Sequence, residues 1–270
     1  MNIGILQSAG IAGNIIELAL SHPEPQDVFT PIIYSKENGN DKNVSSDLKF
    51  GNISGVTVAP GSATEFNFPG TMTVYVTDHI RLATVFENTA VTDDEPVIAE
   101  RIQKAWMVAK RDFLSSLPRV ALLATNTEMD NDVLAPLVAQ LASEGVGVFG
   151  PYAVDEYIEQ QQYQHFDITL AIDEKQTQQL LDNVTERTRT KLLAGLPMVM
   201  TTTDYSATFD FESVDISEPV QALRQALYVV MEVCRNRAAY DEAHRDPLPK
   251  IYHERRDDSE KVRFAVKKIG

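Results

Sequence analysis

The sequence predicts an α/β protein with a mostly parallel sheet, and residues 118–204 carry the clearest signs of it. Residues 120–124 form an apolar run that ends at Thr125, a pattern typical of a buried parallel strand opening into a loop. Residues 146–149 and 168–172 are two further short apolar runs, and helical segments separate the three. This alternation of strands and helices is the signature of an α/β fold.

The N-terminal part begins with the same alternation. Residues 2–6 are predicted as a strand and residues 14–20 as a helix that ends before Pro23. The turn between them, residues 10–13, has glycine at both ends, and glycine-rich turns at helix starts can bind phosphate. The turn has neither the Rossmann glycine pattern nor the Lys-Ser/Thr of a P-loop, so a tight strand-to-helix turn is favoured. Residues 36–49 and 80–91 are predicted as loops.

Three longer helices are predicted from their caps and spacing. Residues 93–96, Asp-Asp-Glu-Pro, start a helix that runs to Leu114. Residues 130–132 cap a second helix that stops at Gly145, and Ser217 caps a third. The apolar stripes of these helices, in chain order, are Ile98, Ile102, Ala105 and Ala109; Val133, Leu134, Leu137, Val138 and Leu141; and Val220, Leu223, Leu227, Val230 and Cys234.

Three basic residues alternate between the second and third of these helices. If the segment is extended, Arg187, Arg189 and Lys191 lie on one side and could clamp a phosphate. If it is helical, the same spacing scatters them. Because residues 174–191 are rich in Gln, Thr, Glu and Arg, a solvated helix is favoured and no phosphate site is predicted.

Composition restricts the class of protein. The chain has 270 residues, 43% of them hydrophobic, enough for two modest lobes with real cores. A net charge of −15 opposes nucleic-acid binding. Its single cysteine, Cys234, excludes an internal disulfide and is expected in helix packing. No apolar segment is long enough to cross a bilayer and no export signal is present, so a cytoplasmic protein without membrane contact is expected. Residues 246–270 are expected to form an extended arm.

An ordered series of motifs carries a family resemblance. The motifs are Ile-Gly-Ile (3–5), Thr-Pro-Ile-Ile-Tyr (30–34), Val-Ala-Pro (58–60), Phe-Asn-Phe-Pro-Gly (66–70), Val-Thr-Asp-His-Ile (76–80), Arg-Val-Ala-Leu-Leu-Ala-Thr-Asn (119–126), Gly-Pro-Tyr-Ala-Val-Asp (150–155), Asp-Ile-Thr-Leu-Ala (167–171) and Gly-Leu-Pro (195–197), then Thr201 and Asp204. In order and spacing this series resembles the 4-hydroxythreonine-4-phosphate dehydrogenase (PdxA) family. The resemblance extends over most of this chain, which is shorter than the expected family members.

The resemblance implies a fold and an activity. The fold is the two-lobed one of isocitrate and isopropylmalate dehydrogenases, with residues 1–70 and 205–270 expected in the first lobe and residues 71–204 in the second. The activity is the NAD-dependent oxidation and decarboxylation of a phosphorylated hydroxyamino acid in pyridoxal phosphate biosynthesis. A divalent metal held by three histidines from both subunits of a homodimer would polarise the developing carbonyl.

The chain departs from the family at the metal positions. The first histidine falls on His79. The second belongs to a loop that here reads Asn-Thr-Glu-Met-Asp-Asn-Asp (126–132), without histidine, and the third falls on Glu174. The substrate-binding lysine, asparagine and arginine fall on Asp182, Lys191 and Met200. A histidine and a threonine that would follow Gly70 are also replaced.

Two interpretations of the metal positions stay open. His79, Glu174 and one of Glu128, Asp130 and Asp132, with Asp130 preferred, could form an altered site for a divalent metal. Alternatively, these carboxylates are ordinary loop and helix-start residues, favoured there by the helix dipole. Because metal-binding and substrate-binding positions change together, the inherited reaction is not expected.

Three functional hypotheses follow. The favoured one is a pseudoenzyme that keeps the homodimeric scaffold and binds a metabolite or has a regulatory role. The second is an active oxidoreductase that uses NAD, a divalent metal and a different substrate. The third is a subunit that forms a mixed dimer with a true family enzyme, because a site built across a dimer interface lets one chain complete or regulate another.

Overall fold

The computed structural model describes residues 1–8, 13–21, 28–34, 53–60, 71–84, 94–184, 189–203 and 217–245. The strands are β1 (Asn2–Ser8), β2 (Val28–Tyr34), β3 (Gly55–Val58), β4 (Met72–Val76), β5 (Arg81–Thr84), β6 (Val120–Leu123), β7 (Val148–Tyr152), β8 (Ile168–Ala171), β9 (Thr190–Ala194) and β10 (Val199–Thr203). The helices are α1 (Gly13–Leu20), α2 (Glu95–Asp112), α3 (Ala135–Ser143), α4 (Val154–Glu159), α5 (Glu174–Val184) and α6 (Ser217–Ala243), with a π-helical turn (Asp130–Leu134) before α3 and a 3-10 turn (Gln162–His165) after α4.

The strands form one ten-stranded sheet in the order β2-β1-β3-β10-β9-β4-β5-β8-β6-β7. The first four strands are parallel to one another, and so are the last four. The chain direction reverses at the β10–β9, β9–β4 and β4–β5 pairs. The two parallel sets therefore run in opposite directions, and their carboxyl ends lie at opposite edges of the sheet.

Helices cover both faces of the sheet. On one face, α6 packs against β3, β9, β10, α1 and α2, and α2 packs against β6 and β8. On the other face, α5 packs against β5 and β8 and also against α4. The larger apolar cluster lies under α2, α3 and α6, and a smaller one, with Leu82, Leu123, Tyr157 and Leu180, lies under α4 and α5.

The two long helices follow the sequence prediction. Asp94 precedes α2 in an extended conformation, and Pro96 occupies its first turn, where no backbone N–H is required. The predicted stripes are buried in both helices, including Ile102 in α2 and Leu223 and Val230 in α6. At Gly55 a Cβ would lie 2.7 Å from Cys234 Sγ and Val230 Cγ2, so glycine permits α6 to approach β3 this closely.

Three local predictions are wrong. Residues 80–91 were expected as a loop, but Arg81–Thr84 forms β5. The helix expected to reach Lys191 ends at Val184, and Thr190–Ala194 forms β9. The strand expected to end before Gly150 continues to Tyr152; Gly150 has φ +119°, and a Cβ there would lie 2.5 Å from the Leu122 carbonyl oxygen.

Other predictions lie outside the described residues. These concern most of the glycine turn at 10–13, residues 36–49, Arg187, Asp204 and the arm at 246–270. The two-lobe boundaries stay a prediction, although β10 (Val199–Thr203) is seen to pair with β3 of the first parallel set. Within the described ranges, no helix is long and apolar enough to span a membrane.

Candidate functional site

The candidate site is the edge of the sheet where β6 and β8 end. Ala124 and Thr125 leave β6 there, and Ile172 and Asp173 leave β8. The carboxyl ends of neighbouring parallel strands form the usual ligand-binding edge of an α/β sheet. The second and third metal positions implied by the resemblance, residues 126–132 and Glu174, follow these two strands. We call this edge of the sheet the β6–β8 edge.

Asp130 organises the loop after β6. Its Oδ1 accepts hydrogen bonds from the Thr125 backbone N–H at 2.7 Å and from Thr125 Oγ1 at 2.8 Å. Asn126 between them takes a positive φ of 59°, a conformation that asparagine tolerates better than most residues. Asp130 therefore closes a tight loop onto the first turn of the helix that follows.

Gln176 joins the ends of β6 and β8. This side chain is only 5% exposed. Its Nε2 donates to the Ala124 carbonyl, and its Oε1 accepts from the Ile172 N–H at 2.9 Å. Asp173 caps α5, because its Oδ1 accepts from the Gln176 N–H at 2.8 Å. We call this arrangement the Gln176 bridge, and sequence inspection did not predict it.

Glu174 lies in the first turn of α5 and is exposed. A carboxylate at that position is favoured by the helix dipole whether or not it binds a ligand. Glu128 and Asp132 are exposed as well. Asp130 and Glu174 thus lie at the same edge of the sheet, as the altered-site hypothesis required.

His79 lies at the opposite edge. It occupies the turn between β4 and β5, which is closed by hydrogen bonds from the His79 and Ile80 N–H groups to Thr77 Oγ1 at 3.2 and 3.1 Å. β5 pairs in parallel with β8, Leu82 opposite Thr169, so this turn lies beside the start of β8. About 13 Å of strand separates the two edges.

The three predicted ligands are therefore not brought together within one chain. Among the residues that the structure describes, no group of three or more His, Cys, Asp and Glu side chains is placed to hold a metal ion. The sequence has five histidines, and none lies in residues 85–93, 124–132 or 172–177, which follow β5, β6 and β8. The residues of one chain at the β6–β8 edge do not fit a three-histidine metal site. A metal site shared between subunits stays a prediction.

The predicted substrate positions are dispersed. Asp182 is exposed on α5, where hydrogen bonds from Gln178 and Arg189 hold its pKa below the ordinary value. Lys191 lies in β9 with Nζ 5.4 Å from the centre of the Tyr75 ring, and Met200 is buried in β10. Lys191 lies in a strand and Arg189 directly precedes it, so the favoured helix is wrong at these two positions.

A buried ion pair joins α2, α6 and the turn between β9 and β10. Asp112 is 1% exposed and Arg237 is 7% exposed. Arg237 donates to the two Asp112 carboxylate oxygens through Nε at 2.8 Å and Nη2 at 2.9 Å, and to the Leu196 carbonyl at 3.0 Å. Asn236 Nδ2 donates to the Asp112 carbonyl at 2.9 Å. We call this the α2–α6 junction; nothing in the sequence spacing predicted it, because residues 112 and 237 are remote along the chain.

Cys234 lies next to the junction. It is buried, as predicted, and burial raises the pKa of its thiol to about 11. A cavity of about 650 Å³ opens beside it, with Ser54, Arg111 and Asp241 among its lining residues. A second cavity, of about 590 Å³, lies between α6 and the turn that holds His79.

The fold is a ten-stranded sheet that lies between helices and contains two parallel sets of strands running in opposite directions. It places the chain among α/β proteins with a mostly parallel sheet. Residues 34–230 match the family described as pyridoxal phosphate biosynthetic protein PdxA. The chain belongs to this family, as the motifs indicated.

Curated relatives agree with this membership. The chain is 29% identical over 198 residues to a 4-hydroxythreonine-4-phosphate dehydrogenase of Bacteroides thetaiotaomicron, covering 70% of this chain and 53% of the relative. It is 31% identical over 163 residues to that of Methylorubrum extorquens strain PA1, covering 57% and 46%. The chain spans about half the length of these curated relatives.

The solved structures share the fold. A putative 4-hydroxythreonine-4-phosphate dehydrogenase from Salmonella typhimurium superposes with a TM-score of 0.61 at 16% identity, covering 86% of this chain and 99% of that one. The enzyme of the same name from Burkholderia phymatum gives 0.61 at 15% identity, covering 84% and 98%. The predicted α/β fold with a mostly parallel sheet is confirmed.

Proposed function

We propose that this PdxA-family chain is a metabolite-binding protein without the dehydrogenase activity that its relatives' names describe. The observation that carries the proposal is the β6–β8 edge. Two of its polar side chains hydrogen-bond within the edge, Asp130 with Thr125 and Gln176 with the backbone of both strands. Hydrogen bonds of this kind stabilise the edge without a bound metal.

The placement of His79 supports the same proposal. The histidine lies across the sheet from Asp130 and Glu174, so one chain cannot direct all three at a single ion. A second subunit would have to supply His79 at the edge that holds Asp130 and Glu174, and such a shared site stays a prediction. NAD binding and homodimer formation remain expectations from the family resemblance. The cytoplasmic location remains an expectation from the sequence composition, and the mixed dimer with a true family enzyme remains an alternative.

A turnover assay tests the proposal directly. The purified chain is incubated with 4-hydroxythreonine 4-phosphate, NAD and either Zn²⁺, Mn²⁺ or Mg²⁺, and NADH formation is followed by absorbance. The Bacteroides thetaiotaomicron relative serves as the positive control. We expect no NADH above the enzyme-free rate, and turnover at a rate comparable with the relative would refute the proposal.

Metal titration tests the alternative that the chain has an altered metal site. Calorimetric titration with Zn²⁺ and Mn²⁺ is carried out on the wild type and on His79→Ala, Asp130→Ala and Glu174→Ala. We expect no stoichiometric binding that depends on these residues. Stoichiometric binding abolished by each of the three substitutions would instead support the altered metal site, assembled between subunits.

Co-expression tests the mixed-dimer alternative. The tagged chain is produced together with an untagged true family dehydrogenase from the same source, and the purified species are separated by mass. A binding protein that acts alone yields only self-association or monomer. A stable mixed dimer with altered dehydrogenase activity would transfer support to the partner-subunit hypothesis.

A further inference from the structure

The α2–α6 junction contains more arginine side chains than are needed to neutralise its buried acid, Asp112. Asp112 is engaged by both Nε and Nη2 of Arg237, and Arg237 also donates to the Leu196 carbonyl. A buried carboxylate with a bidentate arginine partner is already compensated. Arg237 is thus committed to the scaffold, and any further arginine at the junction has a different role.

Arg111 is that further arginine. Its Nε donates to Asp112 Oδ1 at 3.1 Å, which fixes one side of the guanidinium. The group has five N–H donors, and in the described part of the chain nothing accepts from the other four. The side chain is 36% exposed and lines the cavity of about 650 Å³. An arginine held by one nitrogen therefore presents its two terminal nitrogens at a cavity.

The cavity is locally positive in an acidic chain. Among the described side chains, Arg111, Arg235 and Arg237 line it and the acids beside them are Asp112 and Asp241, so three positive charges against two negative give +1. The whole chain carries −15. Ser54 adds a hydroxyl to the lining. Local charge of this sign attracts small anions, while Asp241 and the overall charge disfavour large polyanions.

We propose that this cavity binds a small molecule bearing a carboxylate or a phosphate group, with the Arg111 guanidinium as its main recognition element. The planar guanidinium matches both groups through paired N–H···O bonds, which a lysine cannot reproduce. Arg235, Arg237 and Asp241 lie beyond residues 34–230, the part that matches the family. No described lining residue of the cavity belongs to the β6–β8 edge, so the site is separate from that edge and goes beyond the proposed function.

A simpler role for Arg111 makes a different prediction. A basic residue in the last turn of a helix such as α2 stabilises the helix dipole without any ligand. In that case an anion would act on the protein only by general ionic strength. Lys110, the neighbouring residue, provides the comparison, because it carries the same charge in the same turn but stacks over Trp106, 4.7 Å from the ring centre, and does not line the cavity.

The test is calorimetric titration of the full chain with inorganic phosphate and, separately, with succinate, at constant ionic strength in chloride. The wild type is expected to bind one equivalent of at least one probe, and which of the two binds identifies the anionic group. Arg111→Gln should weaken that binding about 10- to 100-fold, the loss of a charge-assisted hydrogen bond. Arg111→Lys should recover part of it, and Lys110→Gln should leave it unchanged.

Other outcomes overturn the proposal. Equal weakening in Arg111→Gln and Lys110→Gln would mean that only general charge matters, and no saturable binding of either probe to the wild type would remove the site. Amide chemical shifts of the labelled wild type give an answer that needs no substitution. Phosphate or succinate should shift Ser54, Arg111 and Ala238, and shifts confined to other regions would contradict the site. Dehydrogenase turnover would refute the proposed function without affecting this result.

Discussion

The α2–α6 junction and the β6–β8 edge both contain buried polar side chains, but they solve the problem of burial differently. The junction buries two full charges, Asp112 and Arg237, and neutralises each with the other. The edge buries a neutral amide, Gln176, and leaves its carboxylates at the surface or half-buried. A buried charge without its partner is far more costly than an unpaired amide. The junction should thus tolerate substitution much less than the edge.

The largest effect is expected at the ion pair. Arg237→Met leaves the buried Asp112 carboxylate with only the partly exposed Arg111 as a charged partner and should lower the free energy of unfolding by about 3–5 kcal/mol. Urea denaturation measures this. The double variant Asp112→Leu/Arg237→Met removes both charges and should recover most of the loss. A single-variant loss below about 1 kcal/mol would show that the junction is open to water.

Cys234 reports on the same region through its reactivity. Burial raises the thiol pKa from 9.0 to about 11, so at pH 8 the thiolate fraction should be about 100-fold smaller than in the unfolded chain. A disulfide-exchange reagent should react with the folded protein at least that much more slowly than with the protein in urea. Equal rates would contradict a closed junction.

The same pKa fixes a direction for stability. Because the folded thiol has the higher pKa, its contribution is complete below pH 9 and is lost as pH rises from about 9 to about 11. Cys234→Ala should lack this part of the alkaline decline in the free energy of unfolding. Identical alkaline profiles for both proteins would place the decline elsewhere.

A smaller effect is expected at the Gln176 bridge. Gln176→Leu leaves the Ala124 carbonyl and the Ile172 N–H without their partner and should lower the free energy of unfolding by about 1–3 kcal/mol. Gln178→Leu is the matched control, since Gln178 is exposed on the same helix and bonds only to Asp182 among the described residues. If both variants lose the same free energy of unfolding, the hydrogen bonds of Gln176 make no special contribution to stability.

The smallest effect is expected at the loop after β6. Asp130→Ala removes the acceptor for the Thr125 N–H and hydroxyl, and because this loop is partly exposed, the loss should be about 1 kcal/mol. Asp132→Ala, at an exposed position in the same turn, should have no measurable effect. If both variants lose the same amount, general charge and not the hydrogen bonds stabilises the loop.

The long helices could be predicted from the sequence because their signals are local. Pro96 marks the start of α2, Ser217 the start of α6, and apolar residues recur at helical spacing across each. The strand β6 was equally clear, since four consecutive apolar residues precede a polar loop. In each case neighbouring residues alone specify the element.

The site was harder to predict because it depends on strand direction. Arg81–Thr84 is only four residues long and begins with a charge, so β5 was taken for a loop. With β5 missing, nothing in the sequence showed that His79 lies in a turn between two antiparallel strands, at the edge opposite the carboxyl ends of β6 and β8. Similarly, Arg189 and Lys191 were read as part of a polar helix because β9 shows its apolar residues only from Leu192 onward.

Because the chain direction reverses at β9 and β4, the sheet has carboxyl ends of parallel strands, and hence a potential ligand-binding edge, at each of its two ends. Loops that follow β6 and β8 begin at one end of the sheet, and those that follow β1, β3 and β10 begin at the other, so one group can change its chemistry while the other keeps its own. Such a scaffold can lose the binding or catalytic role of one end and retain, or acquire, a role at the other end without a change of fold.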